Sequence, residues 1–353
     1  MKKICFCLTT RGNYAKTATV IDALKDDPNI RLQYIIGGGC PEMDFYGPVR
    51  KITMMLTGSF EGTYKTAGII SIEVGCILQD FMPDVLVLVA DRFEVLPVAM
   101  IAFYMGIPIA HLEGGEQSAC IDDQIRDAIT QIANLHFPCT KKAYEKIVQL
   151  RGSNQNVFKV GATSFDMLRL HGGKSVDAEN PYLISIMHTN NVGANHARWQ
   201  TTTMLWALSG LKMETCWIRP NIDTDSNLIN GMMDKTKWPF IHIADSLKIE
   251  EYAPLLANAA CIVGNSSSGI REASFLGTPV VNVGDRQINR ERAANVIDVP
   301  CISRDIQEAV KLQIAHGPYK PANTYGDGYA GKRIAEVLLS DRVMAYDDMA
   351  TTN

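Results

Sequence analysis

Acidic residues crowd two short stretches in the first half of the chain. Asp91 stands within Ala-Asp-Arg-Phe-Glu, and Glu113 and Glu116 flank a Gly-Gly pair. Asp122 and Asp123 follow directly before an apolar stripe at helical spacing, so one of them is explained as a helix cap. A helix cap does not explain the other carboxylates. Carboxylates gathered in a cleft raise one another's pKa, which suits some of them to proton transfer. The cluster therefore predicts acid–base catalysis.

A second stretch, Gly-Asn-Ser-Ser-Ser-Gly at residues 264–269, has the pattern of a phosphate site. It comes where a predicted strand ends and a helix begins, so backbone N–H groups and the helix dipole would face an anion. A single serine would suffice for a helix cap. Three serines between two glycines exceed that need and favour anion binding. The residues assigned to this turn are Gly264, Ser266, Ser267 and Ser268.

Four arginines lie on loops that follow predicted strands: Arg11, Arg92, Arg271 and Arg286. Guanidinium groups bind diphosphates through paired hydrogen bonds. Magnesium held by carboxylates is the competing way to neutralise a diphosphate. The chain has no HxxxH, HExxH or Cys/His metal pattern, and the arginines make a metal unnecessary. We therefore expect neither a metal nor a cofactor.

The elements that must position these groups are short apolar runs separated by helix-length segments. This order is typical of βαβ units and a parallel sheet, and it starts afresh near residue 180. We expect an α/β protein with two Rossmann-like domains, at 1–172 and 181–334, joined by a linker near Gly172-Gly173, and a C-terminal helix and tail at 335–353. The predicted strands are 3–8, 32–37, 85–89, 107–112, 135–139 and 157–160, then 182–187, 214–219, 240–243, 261–263 and 280–283.

The candidate residues follow strands in both halves, and His188 follows the first strand of the second half. Ligands of open parallel sheets bind beyond the carboxyl ends of the strands. The sequence thus predicts that polar groups of both halves converge on one cleft.

Composition excludes several other classes of protein. The 353 residues are 46% apolar and 20% charged, which fits two globular domains. A net charge of −4 argues against nucleic-acid binding. The apolar region 95–110 is broken by prolines and a glycine, so no membrane span is expected. Nine cysteines without paired CxxC spacing indicate a reducing, cytoplasmic setting, with Cys5 and Cys7 packed in the core.

Several stretches, in order along nearly the whole chain, form a recognisable set of motifs. They are Thr-Arg-Gly-Asn-Tyr-Ala-Lys at 10–16, Asp-Arg-Phe-Glu at 91–94, His-Leu-Glu-Gly-Gly-Glu at 111–116, Ile-Asp-Asp-Gln-Ile-Arg at 121–126, and the segments 264–273, 277–282, 286–290 and 325–328. Together they resemble the hydrolysing UDP-N-acetylglucosamine 2-epimerases, which serve sialic-acid-type pathways. The non-hydrolysing branch has HVEAGLR and a later PEE, and both are missing here.

The resemblance implies a glycosyltransferase-B-type fold, often with the last helix returning to the first domain, and a homodimer or homotetramer. It also implies elimination of UDP across C1 and C2 to a 2-acetamidoglucal, followed by addition of water that gives UDP and N-acetylmannosamine or an analogue modified at C4 or C6. The implied catalytic residues are Asp91, Glu113, Asp122 and His188. The implied UDP and sugar ligands are Arg11, Asn13, Arg92, Glu116, Arg126, Gly264, Ser266, Ser267, Ser268, Arg271, Glu272 (at the ribose) and Arg286.

Two departures from the family pattern lie near the expected sugar site. Asp127 stands where the family usually has histidine, and the family's His-Pro-Val-Thr-Thr is His-Thr-Asn-Asn-Val from His188 onward. Two alternatives stay open. A retaining glycosyltransferase of the same fold would need few carboxylates near C2. A non-catalytic nucleotide-sugar-binding protein would not need Asp91, Glu113 and Asp122 together.

Overall fold

The computed structural model describes residues 1–40, 44–55, 60–118, 122–174, 180–190, 193–220 and 225–340. It divides into two compact units. As far as they are described, the first unit contains residues 1–117, 122–166 and 326–340, and the second contains residues 118 and 167–325. The chain therefore enters the first unit again at residue 326, ahead of the boundary at 335 that the sequence predicts.

The first unit is built on a six-stranded parallel sheet with the strand order β3-β2-β1-β4-β5-β6. Its strands are β1 (Lys2–Thr10), β2 (Ile30–Gly39), β3 (Val49–Lys51), β4 (Val85–Val89), β5 (Ile109–Leu112) and β6 (Leu135–Phe137). Its helices are α1 (Arg11–Leu24), α2 (Phe60–Phe81), α3 (Val95–Tyr104), α4 (Asp122–Ile132) and α5 (Lys141–Arg151), and α6 (Ser164–His171) runs across the boundary.

Alternating side chains of β1 divide between two apolar cores, one on each face of the sheet. Ile4, Phe6 and Leu8 pack on one face of the sheet with α1, and Cys5 and Cys7 pack on the other face with α2 and α3. The expectation that these two cysteines belong to the core is confirmed, since both are buried. Burial raises the pKa of the Cys7 thiol to about 12, so it stays protonated at neutral pH.

The second unit repeats the plan, with the strand order β12-β11-β10-β7-β8-β9 and parallel pairing throughout. Its strands are β7 (Leu183–Ile186), β8 (Thr215–Ile218), β9 (Ile241–Ala244), β10 (Cys261–Gly264), β11 (Val280–Val283) and β12 (Val296–Val299). Its helices are α7 (Ala194–Leu211), α8 (Ser226–Lys235), α9 (Ile249–Asn258), α10 (Ser267–Ile270), α11 (Glu272–Leu276) and α12 (Ser303–His316), and α13 (Ala330–Leu339) follows in the first unit.

The sequence misplaces one strand and misses two. Residues 157–160 form a single bridge, between His136 and Val157, where a strand is predicted. Pro138 of the neighbouring segment has no N–H to donate, so the ladder cannot continue. The edge strands β3 and β12 are missed because β3 has only three residues, two of them charged, and because Asp298 interrupts the apolar residues of β12; none of their residues is fully buried. Among the described helices, none has both the length and the apolar character that a membrane crossing requires.

The last helix, α13, completes the core of the first unit. Ile334 and Leu338 belong to the apolar cluster that contains Phe6 of β1. Asp166 closes the N-terminal end of the helix, because its Oδ1 accepts a hydrogen bond from the N–H of Ala330 at 2.9 Å and its Oδ2 accepts one from Gly331 at 2.7 Å. The carboxylate thus satisfies two N–H groups that a helix leaves without partners of its own.

Candidate active site

In each sheet the strand order reverses between two neighbouring strands, so that the connections after these strands run in opposite directions along the sheet. In the first sheet these strands are β1 and β4, and in the second they are β7 and β10. Ligands of doubly wound sheets bind at such a switch point, beyond the carboxyl ends of the strands. Asp91 follows β4, and His188 and Asn265 follow β7 and β10. The predicted residues therefore lie at the expected edge of each sheet.

Arg126 of α4 organises the carboxylates of the first unit. Its guanidinium is almost fully buried, at 2% exposure, and forms ion pairs with Asp91 and, at 2.7 Å, with Asp123. It also donates to the backbone carbonyl of Glu116. The sequence assigns Arg126 to substrate binding, and this role stays a prediction; its contacts in the structure include the protein carboxylates of Asp91 and Asp123 and the carbonyl of Glu116. Arg126 fixes Asp91, which is 19% exposed, at the end of β4.

Glu113 is buried, at 4% exposure, and pairs with Lys16 of α1 through Nζ and Oε2 at 2.6 Å. Its backbone has a left-handed conformation, with φ of 61°. Such a conformation costs a non-glycine residue about 1–3 kcal/mol and is concentrated at functional sites. The sequence pattern does not single out Lys16, which ends the stretch 10–16 that resembles the family. Glu113 and Asp91 are both held by cations at this edge of the sheet.

Asn13 and Arg92 are held by residues close to them in the chain. Thr10 caps α1 and forms a reciprocal pair with Asn13, in which the backbone N–H of each residue donates to the side-chain oxygen of the other, at 3.2 and 3.0 Å. Arg92 donates from Nε to Glu94 at 2.7 Å, and Glu94 is fully buried. Both side chains thus have structural contacts, and their predicted roles toward a ligand stay predictions. The side chain of Arg11 lies outside the described side chains.

The start of α4 carries the remaining acidic candidates. Asp122 is its first residue and is half-buried, and Glu116 ahead of it is buried. Asp127, one of the departures from the family pattern, forms an ion pair with Lys146 of α5 at 2.9 Å. The ion pair gives the Asp127 carboxylate a partner within the first unit.

His111 and His136 lie buried in the sheet behind the carboxylates. His111 donates from Nε2 to the carbonyl of Ala90 at 2.8 Å. His136 accepts at Nε2 from Arg151 at 2.5 Å. Burial lowers the pKa of His111 to about 4 and, with the neighbouring Arg151 charge, that of His136 to about 3. Both rings are therefore neutral in the folded protein at neutral pH.

We predict that the free energy of unfolding falls as the pH drops from about 6.5 toward 4. The unfolded chain binds protons at these two histidines near pH 6.5, whereas the folded protein does not until its lower pKa values are reached. Each ring then contributes a slope of up to about 1.4 kcal/mol per pH unit. Urea unfolding at pH 7 and pH 5 measures the loss. A urea midpoint at pH 5 equal to that at pH 7 would contradict the prediction.

In the second unit, the turn after β10 is a close backbone crossing. Gly264 has φ of 146°, and a Cβ atom there would lie 2.0 Å from the carbonyl oxygen of Ile186 in β7, so only glycine fits. Ser266 caps α10 by accepting from the N–H of Ser268 at 3.3 Å. The helix that begins here is short, because α10 ends at Ile270 and α11 begins at Glu272. The helix dipole is correspondingly small, and the N–H and hydroxyl groups carry the case for an anion site.

Other side chains of the second unit hydrogen bond to this turn or pack against it. Ser268 hydrogen bonds to the hydroxyl of Tyr252 at 2.5 Å. Arg271 is buried, at 3% exposure, and its guanidinium lies 5.6 Å from the ring centre of Tyr325. The Tyr325 hydroxyl donates to the carbonyl of Glu291 at 2.9 Å. The sequence pattern does not identify Tyr252 and Tyr325 as residues that hold Ser268 and Arg271, since only their side-chain contacts reveal that role. Glu272 is half-buried at the start of α11.

His188 and Arg286 meet the same turn through Asn265. The backbone N–H of His188 donates to the Asn265 side chain at 2.7 Å, and Arg286 donates from Nη1 to the Asn265 carbonyl at 3.2 Å. The structure thus brings His188, Arg286 and the Gly/Ser turn together. Among the described residues, no group of three or more His, Cys, Asp or Glu side chains is arranged to hold a metal ion. Convergence of both halves on one cleft stays a prediction.

Comparison with known proteins places the chain in a family. The sequence profile described as UDP-N-acetylglucosamine 2-epimerase matches residues 23–339. The chain is 27% identical to the UDP-N,N'-diacetylbacillosamine 2-epimerase (hydrolyzing) of Legionella pneumophila, covering 96% of each chain. It is 26% identical to the UDP-N-acetylglucosamine 2-epimerase of Neisseria meningitidis, covering 96% of this chain and 95% of that one.

Solved structures agree on the fold. The UDP-GlcNAc 2-epimerase of Methanocaldococcus jannaschii, solved with UDP-GlcNAc and UDP, matches with a TM-score of 0.77 at 19% identity, covering 95% of this chain and 99% of that one. The expected α/β fold with two Rossmann-like sheets is confirmed. Because the family profile spans most of the chain, the resemblance seen in the sequence is confirmed as well: the chain belongs to the UDP-N-acetylglucosamine 2-epimerase family.

Proposed function

We propose that this protein is a hydrolysing 2-epimerase that converts UDP-N-acetylglucosamine, or an analogue modified at C4 or C6, into UDP and the free 2-epimeric sugar. The observation that carries the proposal is the pair of cation-held carboxylates, Asp91 on Arg126 and Glu113 on Lys16, at the ligand-binding edge of the first sheet. A relative named as hydrolyzing, with 27% identity along nearly the whole chain, supports hydrolysis over simple epimerisation.

The reaction proceeds by elimination and then addition. A carboxylate removes the proton from C2 while the bond from C1 to the diphosphate oxygen breaks, which forms a C1–C2 double bond and releases UDP. Water then adds its oxygen to C1, and C2 receives a proton on the opposite face, which inverts that centre. Both steps require a base and an acid at the sugar.

Asp91, Glu113 and Asp122 form the acid–base set in this proposal. Lys16 and Arg126 keep two of these carboxylates in fixed positions, which lowers the entropic cost of reaching the transition state. Asp91 is more exposed than Glu113, at 19% against 4%, so Asp91 is the more accessible of the two carboxylates. His188 acts beside the leaving diphosphate, as its place next to the Gly/Ser turn in the second unit supports.

The diphosphate is bound in this proposal by the Gly/Ser turn with Arg271 and Arg286. We predict that Ser267→Ala and Arg271→Ala each weaken UDP binding by about 1–3 kcal/mol, the usual scale for a hydrogen bond to a charged group. Isothermal titration calorimetry with UDP measures the loss. Arg304→Ala is the matched control, because Arg304 is 80% exposed on α12. Unchanged UDP affinity in both site variants would remove these residues from the site.

Incubation with UDP-N-acetylglucosamine in deuterium oxide, without any acceptor, tests the function. The expected products are UDP and N-acetylmannosamine with deuterium at C2, because the abstracted proton exchanges with solvent before readdition. UDP-N,N'-diacetylbacillosamine in a parallel reaction tests the modified analogue. Free sugar without deuterium at C2 would indicate direct hydrolysis, as expected of a glycosyltransferase lacking its acceptor. UDP binding without turnover of either donor would leave only a nucleotide-sugar-binding protein.

A further inference from the structure

We infer that Asn265 is a positioning residue that locks His188 and the loop carrying Arg286 to the Gly/Ser turn, so that the groups at the diphosphate form one rigid unit. The inference rests on the proposed function for its kinetic consequences. Asn265 itself is fully buried, at 0% exposure. It therefore acts through its neighbours and not by touching the substrate.

The side-chain amide of Asn265 is matched to the segment after β7. Its Oδ1 accepts from the backbone N–H of His188 at 2.7 Å, and its Nδ2 donates to the backbone carbonyl of His188 at 2.9 Å. Nδ2 also donates to Oδ1 of Asn190 at 3.3 Å. One amide thus hydrogen bonds to both the N–H and the carbonyl of His188, which fixes the direction in which the imidazole projects from the backbone.

The backbone of Asn265 anchors two further segments. Its N–H donates to the carbonyl of Ile186, the last residue of β7, at 3.1 Å. Its carbonyl accepts from Nη1 of Arg286 at 3.2 Å and from Nε2 of Gln287 at 3.0 Å. The next residue, Ser266, begins the turn that caps α10. One residue therefore contacts the segments that hold His188, the serines and Arg286.

Only an asparagine satisfies this position. The site needs an acceptor and a donor about 2 Å apart on a short, uncharged side chain, because the His188 N–H and carbonyl must both be paired in a buried place. Aspartate has the same shape but presents two acceptors, so it would face the His188 carbonyl with a buried negative charge. Leucine would leave both groups without partners. The position lies between β7 and β10, where the second sheet opens its ligand crevice.

The test compares Asn265→Asp with Asn295→Asp. Asn295 is a matched control, since it is also buried in the second unit, at 2% exposure, and its Nδ2 donates to a backbone carbonyl, that of Thr278, at 2.7 Å. Both variants lose stability for the same reason, and thermal unfolding measures that shared loss. We expect N265D alone to weaken UDP binding about tenfold and to lower kcat about 10²-fold, the scale of a misplacement near 1 Å. N295D should stay within about twofold of the wild type in both.

A second readout needs no turnover. The imidazole signals of His188 are identified in nitrogen-edited NMR spectra by their loss in His188→Gln. We expect them to shift in ligand-free N265D and to stay in place in N295D. If the wild type turns over no donor, the proposed function fails while this comparison still tests the inference.

A milder variant covers the case in which N265D does not fold. Gln287→Met keeps the shape of the side chain but removes one donor from the Asn265 carbonyl, so UDP should bind about fivefold less tightly. Any of four results would overturn the inference. Folded N265D could keep the UDP affinity and kcat of the wild type, or lose no more UDP affinity and kcat than N295D does. The His188 signals could stay in place in N265D, or Q287M could bind UDP as tightly as the wild type.

Discussion

Replacing Glu113 by glutamine is expected to lower turnover of the UDP-sugar by about 10²–10⁴-fold, the range of general acid–base contributions. The amide keeps the shape and the left-handed backbone of this position but cannot gain or lose a proton. It also gives up the charge that holds Lys16, whose Nζ lies 2.6 Å from Oε2. UDP affinity should stay near that of the wild type, because the Gly/Ser turn binds the diphosphate in our proposal. Steady-state kinetics and titration with UDP separate the two effects.

The matched control is Glu145→Gln on α5. Glu145 is also paired with a lysine, Lys141, at 3.6 Å, but both side chains are more than half exposed. An exposed pair of this kind contributes little, so activity should be that of the wild type. Asp91→Asn and Asp122→Asn should show losses like that of Glu113→Gln. Full activity in all three amide variants would mean that the acid–base residues have been assigned wrongly.

Alanine in place of Asp166 is expected to destabilise the first unit by about 3 kcal/mol or more. The change leaves the N–H groups of Ala330 and Gly331 buried without their acceptor, and each such group costs about 1–3 kcal/mol. It also removes the acceptor for the Thr19 hydroxyl, at 3.0 Å. Urea unfolding measures the overall loss. Hydrogen exchange at residues 330 and 331 should speed up together, which would place the loss at the start of α13.

Asp26→Ala serves as the control for that measurement. Asp26 is exposed just after α1, and a substitution at such a surface position changes stability by less than about 0.5 kcal/mol. Asp166→Asn should fall between the two, since it keeps one acceptor oxygen. An Asp166→Ala protein that unfolds at the wild-type urea concentration would show that α13 does not depend on this contact.

The sequence predicts the parts of the fold that depend on local pattern. The buried strands β4 and β11 are found with their observed ends, because a run of apolar residues between loop signals is a strong local feature. The edge strands β3 and β12 are missed, since their pairing depends on a neighbour and not on their own composition. Residues 157–160 are wrongly predicted as a strand for the converse reason: three of the four are apolar, but Pro138 beside them ends the ladder.

The residues of the candidate site also divide into those that a local sequence pattern indicates and those that only their contacts reveal. Asp91 and Glu113 are predicted from the sequence because acidic residues after apolar runs are visible there, and their catalytic role stays a prediction. Lys16, Asn265 and Tyr325 are missed because their importance lies in which side chain each one contacts. No spacing rule links Asn265 to His188, 77 positions earlier in the chain. Supports of this kind become visible only when the strand order is known.

The return of α13 to the first unit has a consequence for how the protein is made. Ile334, Ala335 and Leu338 fill the same apolar cluster as Phe6 and Leu8 of the first strand. A ribosome synthesises the chain from its N-terminal end, and domains fold as their residues emerge. The unit that begins first is therefore finished last. Until residue 338 has left the exit tunnel, one face of its sheet lacks a helix and exposes apolar surface to other nascent chains and to chaperones.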